Sequence, residues 1–417
     1  MKILMFSNTF IPRLGGVTQS IVSLRQELIK RGHSVLIVTS YLPNAAHEDG
    51  DVVRVPVFAH TNGADLPLPI MSTRVRREIQ AFGPDIVHAH HPFLLGRTAL
   101  HAAACFDVPI VYTFHTRYDL YLRALGGGIW LEKLVRRSIM AFCQTADAVI
   151  APSDSIRCML QASGMATPVV TIPSGIDTAR VSGGDRSRMR ISLGIKADAF
   201  VIGHIGRLEV EKNLAFLASA VAVLLRNSPT AVFLIGGDGT QQRAMMEKLT
   251  GAGVGDQVIF TGALKGRAIA DALSAMDVFV FASLTETQGL VVTEAQAAGV
   301  PVIALDTPGV HETVTKGGGL LLDRRAKPAA FAEVLQSFER LAQAEREIFR
   351  KQALDNAARY SAQEMARSTE DLYGKLVAEH LPNLPCGALR ARITTELKIF
   401  KSIMSPFDTA AGWKESA

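Results

Sequence analysis

Glu286 and Glu294 stand eight positions apart in Glu286-Thr287-Gln288-Gly289-Leu290-Val291-Val292-Thr293-Glu294, one ahead of a glycine and one inside the apolar run behind it. A carboxylate in a loop before a helix and a second two turns inside that helix can face one pocket. The N–H groups of Gly289, Leu290 and Val291, at the start of the helix, have no acceptor within it and are free to receive an anion. Acceptors at both ends and donors between them suit a phosphorylated sugar. The same two carboxylates could instead straddle a glycosidic bond for acid–base hydrolysis.

Gly206-Arg207-Leu208-Glu209-Val210-Glu211-Lys212-Asn213 favours the first reading. The segment follows an apolar strand pattern, and in open parallel sheets ligands gather beyond the carboxyl ends of strands. Arg207 and Lys212 can therefore reach a diphosphate lying on the Gly289 helix and neutralise charge that grows on a leaving group. Two cations and a helix N-terminus fit a nucleotide better than water and a polysaccharide. Gly15 and Gly16 also open a helix and let a substrate approach the backbone closely. His88, His90 and His91 end a strand pattern, and no carboxylate or cysteine completes a metal site at familiar spacing, so no metal is expected.

These segments need rigid elements to carry them. An apolar strand from Ile3 to Phe6, a helix with Val17, Ile21, Leu24 and Leu28 on one face, a stop at Gly32 and a strand from Val35 to Val38 make a βαβ start. Apolar runs follow at Asp85 to His88, Pro109 to Phe114, Ala148 to Ala151 and Val169 to Ile172. The pattern then begins again at Phe200 to Ile205, Ala231 to Ile235, Val258 to Phe260, Val278 to Ala282 and Val300 to Ala304. Such alternation predicts two doubly wound α/β domains with parallel sheets covered on both faces. Pro173 to Asp177 and the polar stretch Ser182 to Arg190 read as the hinge between them. The domains are then residues 1–178 and 179–361, with a helix over 362–380 returning to the first and a tail over 381–417.

At 417 residues, with 48% hydrophobic and 20% charged content, the chain is long enough for two cores and is neither disordered nor fibrous. A net charge of +5 and a pI near 9.0 favour anionic partners. Cys105, Cys143, Cys158 and Cys386 are scattered, with no Cys-x-x-Cys pair, as reduced cytosolic thiols are. The short apolar start is no signal peptide, and no run approaches the roughly 18 apolar residues of a spanning helix, so membrane contact is expected to be peripheral, from the cytoplasmic side.

Taken together, Gly206 to Asn213 and Glu286 to Glu294 resemble the paired signatures of retaining glycosyltransferases of family 4. The similarity runs from Gly15-Gly16 through His115 to Pro308-Gly309, nearly the whole chain except the tail. It implies a GT-B fold, two Rossmann-like domains facing each other across a cleft, the first for the acceptor and the second for the nucleotide sugar. It also implies that Glu294 holds the ribose hydroxyls, Glu286 and His115 lie beside the transferred sugar, Arg207 and Lys212 bind the diphosphate, and Gly289 and Leu290 meet its phosphate end. The base would sit near Thr261-Gly262-Ala263-Leu264. Similar enzymes are thought to use a same-face displacement in which the departing phosphate helps deprotonate the acceptor, without a cofactor or a divalent metal.

Gln288 stands where most members carry an aromatic, and Glu-Thr-Gln-Gly-Leu together with His115-Thr116-Arg117-Tyr118-Asp119-Leu120-Tyr121 resembles the branch that glycosylates diacylglycerol. Tyr118, Tyr121, Leu122 and Leu125, continued by Ile129, Trp130 and Leu134 with Lys133, Arg136 and Arg137, make an amphipathic stripe with basic flanks, suited to an anionic bilayer. Arg74, Arg76 and Arg77 extend the charge, and His91 is counted with the acceptor side. The expected reaction moves a hexose, glucose first, from a UDP-type donor to a lipid such as diacylglycerol. A soluble or polyprenyl-linked saccharide acceptor, a sugar-nucleotide epimerase of the same fold and a non-catalytic sugar-nucleotide sensor are the alternatives. Nucleic acid is not an expected partner, because the cations are not interleaved with aromatics.

Overall fold

The computed structural model describes residues 1–13, 15–41, 50–60, 65–67, 72–120, 126, 128–314 and 318–380. They form two units: residues 1–152, 157–172 and those from 366 on make the first, and 153–156 with 173–365 the second.

In the first unit the strands are β1 (Lys2–Ser7), β2 (Ser34–Ser40), β3 (Val52–Val55), a small antiparallel hairpin of β4 (Val57–His60) and β5 (Asp65–Pro67), then β6 (Ile86–Ala89), β7 (Ile110–Thr113), β8 (Ala148–Ala151) and β9 (Val169–Thr171). Among the described residues the main sheet runs β3-β2-β1-β6-β7-β8-β9, all parallel. Ile3, Leu4, Met5 and Phe6 of the interior strand β1 are wholly buried, the mark of a strand covered on both faces. Each such side chain contributes about 1.5–3 kcal/mol, an upper figure because unfolded chains are already partly compact.

The second unit repeats the plan with β10 (Val201–Ile205), β11 (Val232–Gly236), β12 (Val258–Phe260), β13 (Val278–Phe281), β14 (Val302–Asp306) and β15 (Gly319–Asp323), ordered β12-β11-β10-β13-β14-β15. Its core has two layers. Ile202, Phe233 and Val280 pack to one side with Leu217, Val221 and Phe331, whereas Val201, Leu234 and Phe279 pack to the other with Val292, Ala295 and Val310. The period of two along each strand feeds both layers. Strand order reverses between β10 and β13, and ligands bind at such a switch point.

The two doubly wound sheets are those expected from the alternating apolar runs. The edge strands β3 and β15 were not among them; β15 is a short run of leucines with none of the β-branched or aromatic residues that mark a strand. The polar stretch Ser182 to Arg190 also differs from its reading as hinge. It enters the Arg186–Ser192 helix, whose Asp185 cap accepts from the Arg188 N–H, and it folds onto the second unit. Arg190 is 3% exposed and donates to the carbonyls of Ala197, Ala199 and Ala275 and to Asp277. Charges that look like a solvated linker in sequence are here spent on carboxylates and carbonyls far along the chain.

The Ala362–Glu379 helix begins in the second unit and ends in the first, where Tyr373 is fully buried with its hydroxyl 2.6 Å from His88 Nδ1. On the same helix Glu370 takes both Arg31, at 2.5 Å, and His33, at 3.0 Å.

Candidate active site

Both segments singled out by their spacing leave the switch point of the second unit. Gly206 to Asn213 follows β10, and Ser283 to Gly289 follows β13. After β10 the chain makes a single 3-10 turn, Val210–Lys212, and Asn213 ends it in the left-handed region at φ 55° while its amide donates to the Ala282 carbonyl. That turn aims Lys212 across to the second segment: Nζ lies 2.5 Å from Glu286 Oε1. Arg207, with half its side chain exposed, pairs with Glu211 at 2.7 Å, a partner not anticipated from sequence.

Gly289 caps the Leu290–Ala297 helix at φ 79° with no side-chain acceptor, so the first N–H groups stay available to an anion. Glu294 is the fifth residue of this helix, little more than one turn in rather than two. Its carboxylate pairs at 3.0 Å with Arg180, a residue that no motif singles out. The turn itself is backed by Gly309 at φ 82°, where a side chain would strike the Thr287 backbone, and Ser153 Oγ donates to the Thr287 carbonyl at 2.8 Å. Leu264, after β12, packs its side chain against Gly236 at the end of β11.

The two glutamates are polarised in opposite directions. For Glu286, burial opposes ionisation, but the Lys212 charge and hydrogen bond, with Ser283 and Arg207 adding to them, outweigh it and hold the carboxyl below its usual range. For Glu294, burial dominates and raises the pKa, with Arg180 pulling against it. A carboxylate held more readily ionised and one that protonates more easily are suited to different tasks. The first can face developing positive charge; the second can share hydroxyl hydrogen bonds at low electrostatic cost.

In the first unit, the residues beyond β6 and β7 form a histidine cluster. His90 Nδ1 lies 3.0 Å from His115 Nε2, and the His88 and His90 ring centres are 4.1 Å apart. Burial, then the neighbouring imidazoles, hold His90 and His115 neutral; burial alone takes His88 to about 3 and His91 to about 4. His91 Nδ1 accepts the Asn8 N–H at 3.2 Å, tying the end of β6 to the end of β1. Among the described residues no group of three His, Cys, Asp or Glu side chains could hold a metal ion. Gly15 caps the Gly16–Lys30 helix in extended conformation with open space beside it.

Of the acceptor-side residues, Arg117 is held by Asp119 through two 2.8 Å hydrogen bonds, and Tyr118 packs edge-on to Phe93 at 5.5 Å. Tyr121, Leu122 and Leu125 lie outside the described residues, as does the tail beyond 380. Ile129, Trp130 and Leu131, at the start of the Ile129–Thr145 helix, are exposed by 69%, 55% and 36%, with Lys133, Arg136 and Arg137 exposed on the next two turns. The helix buries Ile139, Phe142 and Cys143 instead, so the stripe splits into a core end and a solvent end. No described helix is long and apolar enough to cross a membrane.

The sequence profile of Glycosyltransferase Family 4 matches residues 14–180, and that of Glycosyl transferases group 1 matches residues 185–355. An alpha-monoglucosyldiacylglycerol synthase of Streptococcus pneumoniae is 29% identical over 323 residues, 76% of this chain and 73% of that protein. A GDP-mannose-dependent alpha-mannosyltransferase of Mycobacterium tuberculosis is 30% identical over 364 residues, 83% of this chain and 91% of that protein. In structure, the sucrose-phosphate synthase of Thermosynechococcus elongatus superposes with a TM-score of 0.77 at 22% identity, covering 90% of this chain and 99% of that one, which assigns the GT-B fold.

Proposed function

The chain belongs to glycosyltransferase family 4, retaining enzymes that use nucleoside diphosphate sugars, and from that premise we propose that it transfers a hexose, glucose from UDP-glucose, to diacylglycerol at an anionic membrane surface. The observation that carries the donor half is the opposite polarisation of Glu286 and Glu294 on either side of an uncapped helix start. In this reading the N–H groups after Gly289 and the Arg207 and Lys212 cations receive the diphosphate. Glu294 accepts from the ribose hydroxyls. Ionised Glu286 lies beside the sugar, where positive charge grows as the bond to phosphate lengthens. Neutral His115 offers an imidazole N–H to a sugar hydroxyl.

The lipid half rests on the first unit. An exposed Ile129-Trp130-Leu131 edge beside three exposed cations is the composition of an interfacial helix end. A cavity of about 140 Å³ that Arg136 helps to line mixes Phe114, Ile139, Met140, Met159 and Leu160 with Arg117, Asp119 and Ser163, apolar and charged groups together. The synthase from Streptococcus pneumoniae, named for a glucosylated diacylglycerol, supports the same acceptor. The mannosyltransferase similarity supports the competing sugar, mannose from a guanosine donor.

The test offers the purified chain labelled UDP-glucose, UDP-galactose, UDP-glucuronate and GDP-mannose, with and without diacylglycerol in anionic vesicles. Glucose in the lipid phase is the expected result; label only in a soluble saccharide, or from GDP-mannose alone, overturns the acceptor or the donor respectively. A Trp130→Ser variant run beside it should lose transfer to vesicle-borne lipid and keep UDP affinity. Glu294→Ala should weaken UDP binding by about 10- to 100-fold in calorimetry, the equivalent of the ~1.5–3 kcal/mol of hydrogen bonds to a charged group. UDP affinity within about twofold of wild type would remove the ribose role.

A further inference from the structure

Gln288 does not point its amide at the anion-binding helix start. It is 3% exposed, Oε1 accepts from the Ser174 N–H at 2.7 Å, and Nε2 donates to the Ser174 carbonyl at 2.8 Å. A side-chain amide that pairs both backbone groups of one residue imitates a strand partner and fixes that residue in register. Ser174 lies directly after the point where the chain passes from the first unit into the second, between Ile172 and Pro173.

The return passage, between Met365 and Ala366, is laced to the same segment. Ile176 N–H donates to the Tyr360 carbonyl at 2.8 Å, Ala362 N–H donates back to the Ile176 carbonyl at 3.0 Å, and Gly175 N–H meets Met365 Sδ at 3.0 Å. A side chain at Gly175 would fall 2.5 Å from the Ser361 carbonyl oxygen, so the approach of the two passages requires glycine there. Gln288 thus joins the turn that precedes the Leu290–Ala297 helix to the segment where the Ile172–Pro173 and Met365–Ala366 passages meet.

We propose that Gln288 is a positioning residue: through Ser174 it sets the Thr287–Gly289 turn, and with it the phosphate-facing N–H groups, in register with the chain passages at Ile172–Pro173 and Met365–Ala366. The proposal deepens the donor-site reading above and rests on it. Arg207 and Lys212 still hold the diphosphate when these N–H groups shift, so the role predicts a loss of turnover out of proportion to any loss of nucleotide binding.

Two variants separate this from a merely structural side chain. Gln288→Leu removes both hydrogen bonds at similar volume. Gln288→Glu keeps the acceptor, but its carboxylate opposes the Ser174 carbonyl; once protonated, it presents O–H to that carbonyl and C=O to the N–H, the pattern of the amide. With UDP-glucose and diacylglycerol vesicles, Gln288→Leu should lower kcat at least about tenfold with KM for UDP-glucose within about threefold, at any pH. Gln288→Glu should recover toward wild type, relative to wild type at the same pH, as pH falls. A pH-independent Gln288→Glu defect equal to that of Gln288→Leu overturns the pairing argument.

Amide hydrogen exchange reads the same link without any turnover. In Gln288→Leu, exchange at Ser174 and across 287–293 should accelerate together by about tenfold or more, while Val201–Ile205 in β10 stays unchanged. Unchanged exchange across 287–293 refutes the inference whatever the activity. Wild type that fails to use UDP-glucose, with the exchange coupling intact, refutes the proposed donor and leaves the positioning role standing.

Discussion

Lys212→Ala is expected to reduce kcat by about 10²- to 10³-fold, the range for removing a charge-stabilising donor from a transition state. Two losses coincide in this one substitution. The diphosphate loses a cation, and Glu286, whose carboxylate sits 2.5 Å from Nζ with 16% of its side chain exposed, loses its counter-ion. Breaking a buried pair by removing one partner costs about 3–5 kcal/mol; both side chains here retain some contact with water, so the lower end applies. Glu286 is ionised in the folded protein because its pKa lies below the ordinary 4.5. Its contribution to stability is therefore fully present above pH 4.5 and is lost as pH falls through the depressed value. Without Lys212 the burial penalty is no longer offset, the carboxyl rises, and the acid-side loss of stability attributable to Glu286 disappears. Unfolding midpoints at pH 7 and pH 4 for both proteins, with kcat beside them, check this. A variant that keeps wild-type turnover and wild-type acid sensitivity contradicts both roles.

Glu286→Gln should be the cleaner lesion. The amide keeps the shape and an oxygen for Lys212 but removes the negative charge, so the loss falls on the step in which the sugar becomes cationic. We expect kcat and kcat/KM to fall together by about 10²-fold or more, while the UDP dissociation constant moves less than about threefold. A parallel loss of UDP affinity would instead place Glu286 on the nucleotide.

The fold was legible because parallel strands buried on both faces read as apolar runs, as in Ile3–Phe6 and Val278–Phe281. The half-buried edge strand β12 was read through Val258-Ile259-Phe260, whereas β15, with only leucines between Gly319 and Asp323, carries no such strand signal. The candidate site was legible in part. Lys212, Glu286 and Gly289 belong to two short segments at fixed spacing, and the topology of a doubly wound sheet puts the ends of β10 and β13 together. Arg180, which pairs with Glu294 from 114 residues away, carries no such spacing signal, whereas Glu211 stands four residues after Arg207 in the same segment and its pairing was open to a local reading. Asp119, two residues after Arg117, is likewise a local partner.

Gln288 shows the boundary between the two kinds of information. Its presence in Glu-Thr-Gln-Gly-Leu was visible and suggested an acceptor; its partner, the Ser174 backbone, lies 114 residues away. The sequence by itself determined the two α/β sheets and the carboxylates, cations and glycine that a nucleotide sugar needs, because these depend on periodicity and local spacing. Only the tertiary structure decided which charges are paired, which glutamate is held ionised and what Gln288 grips. Those outcomes depend on burial and on contacts between distant segments, and no local pattern encodes either.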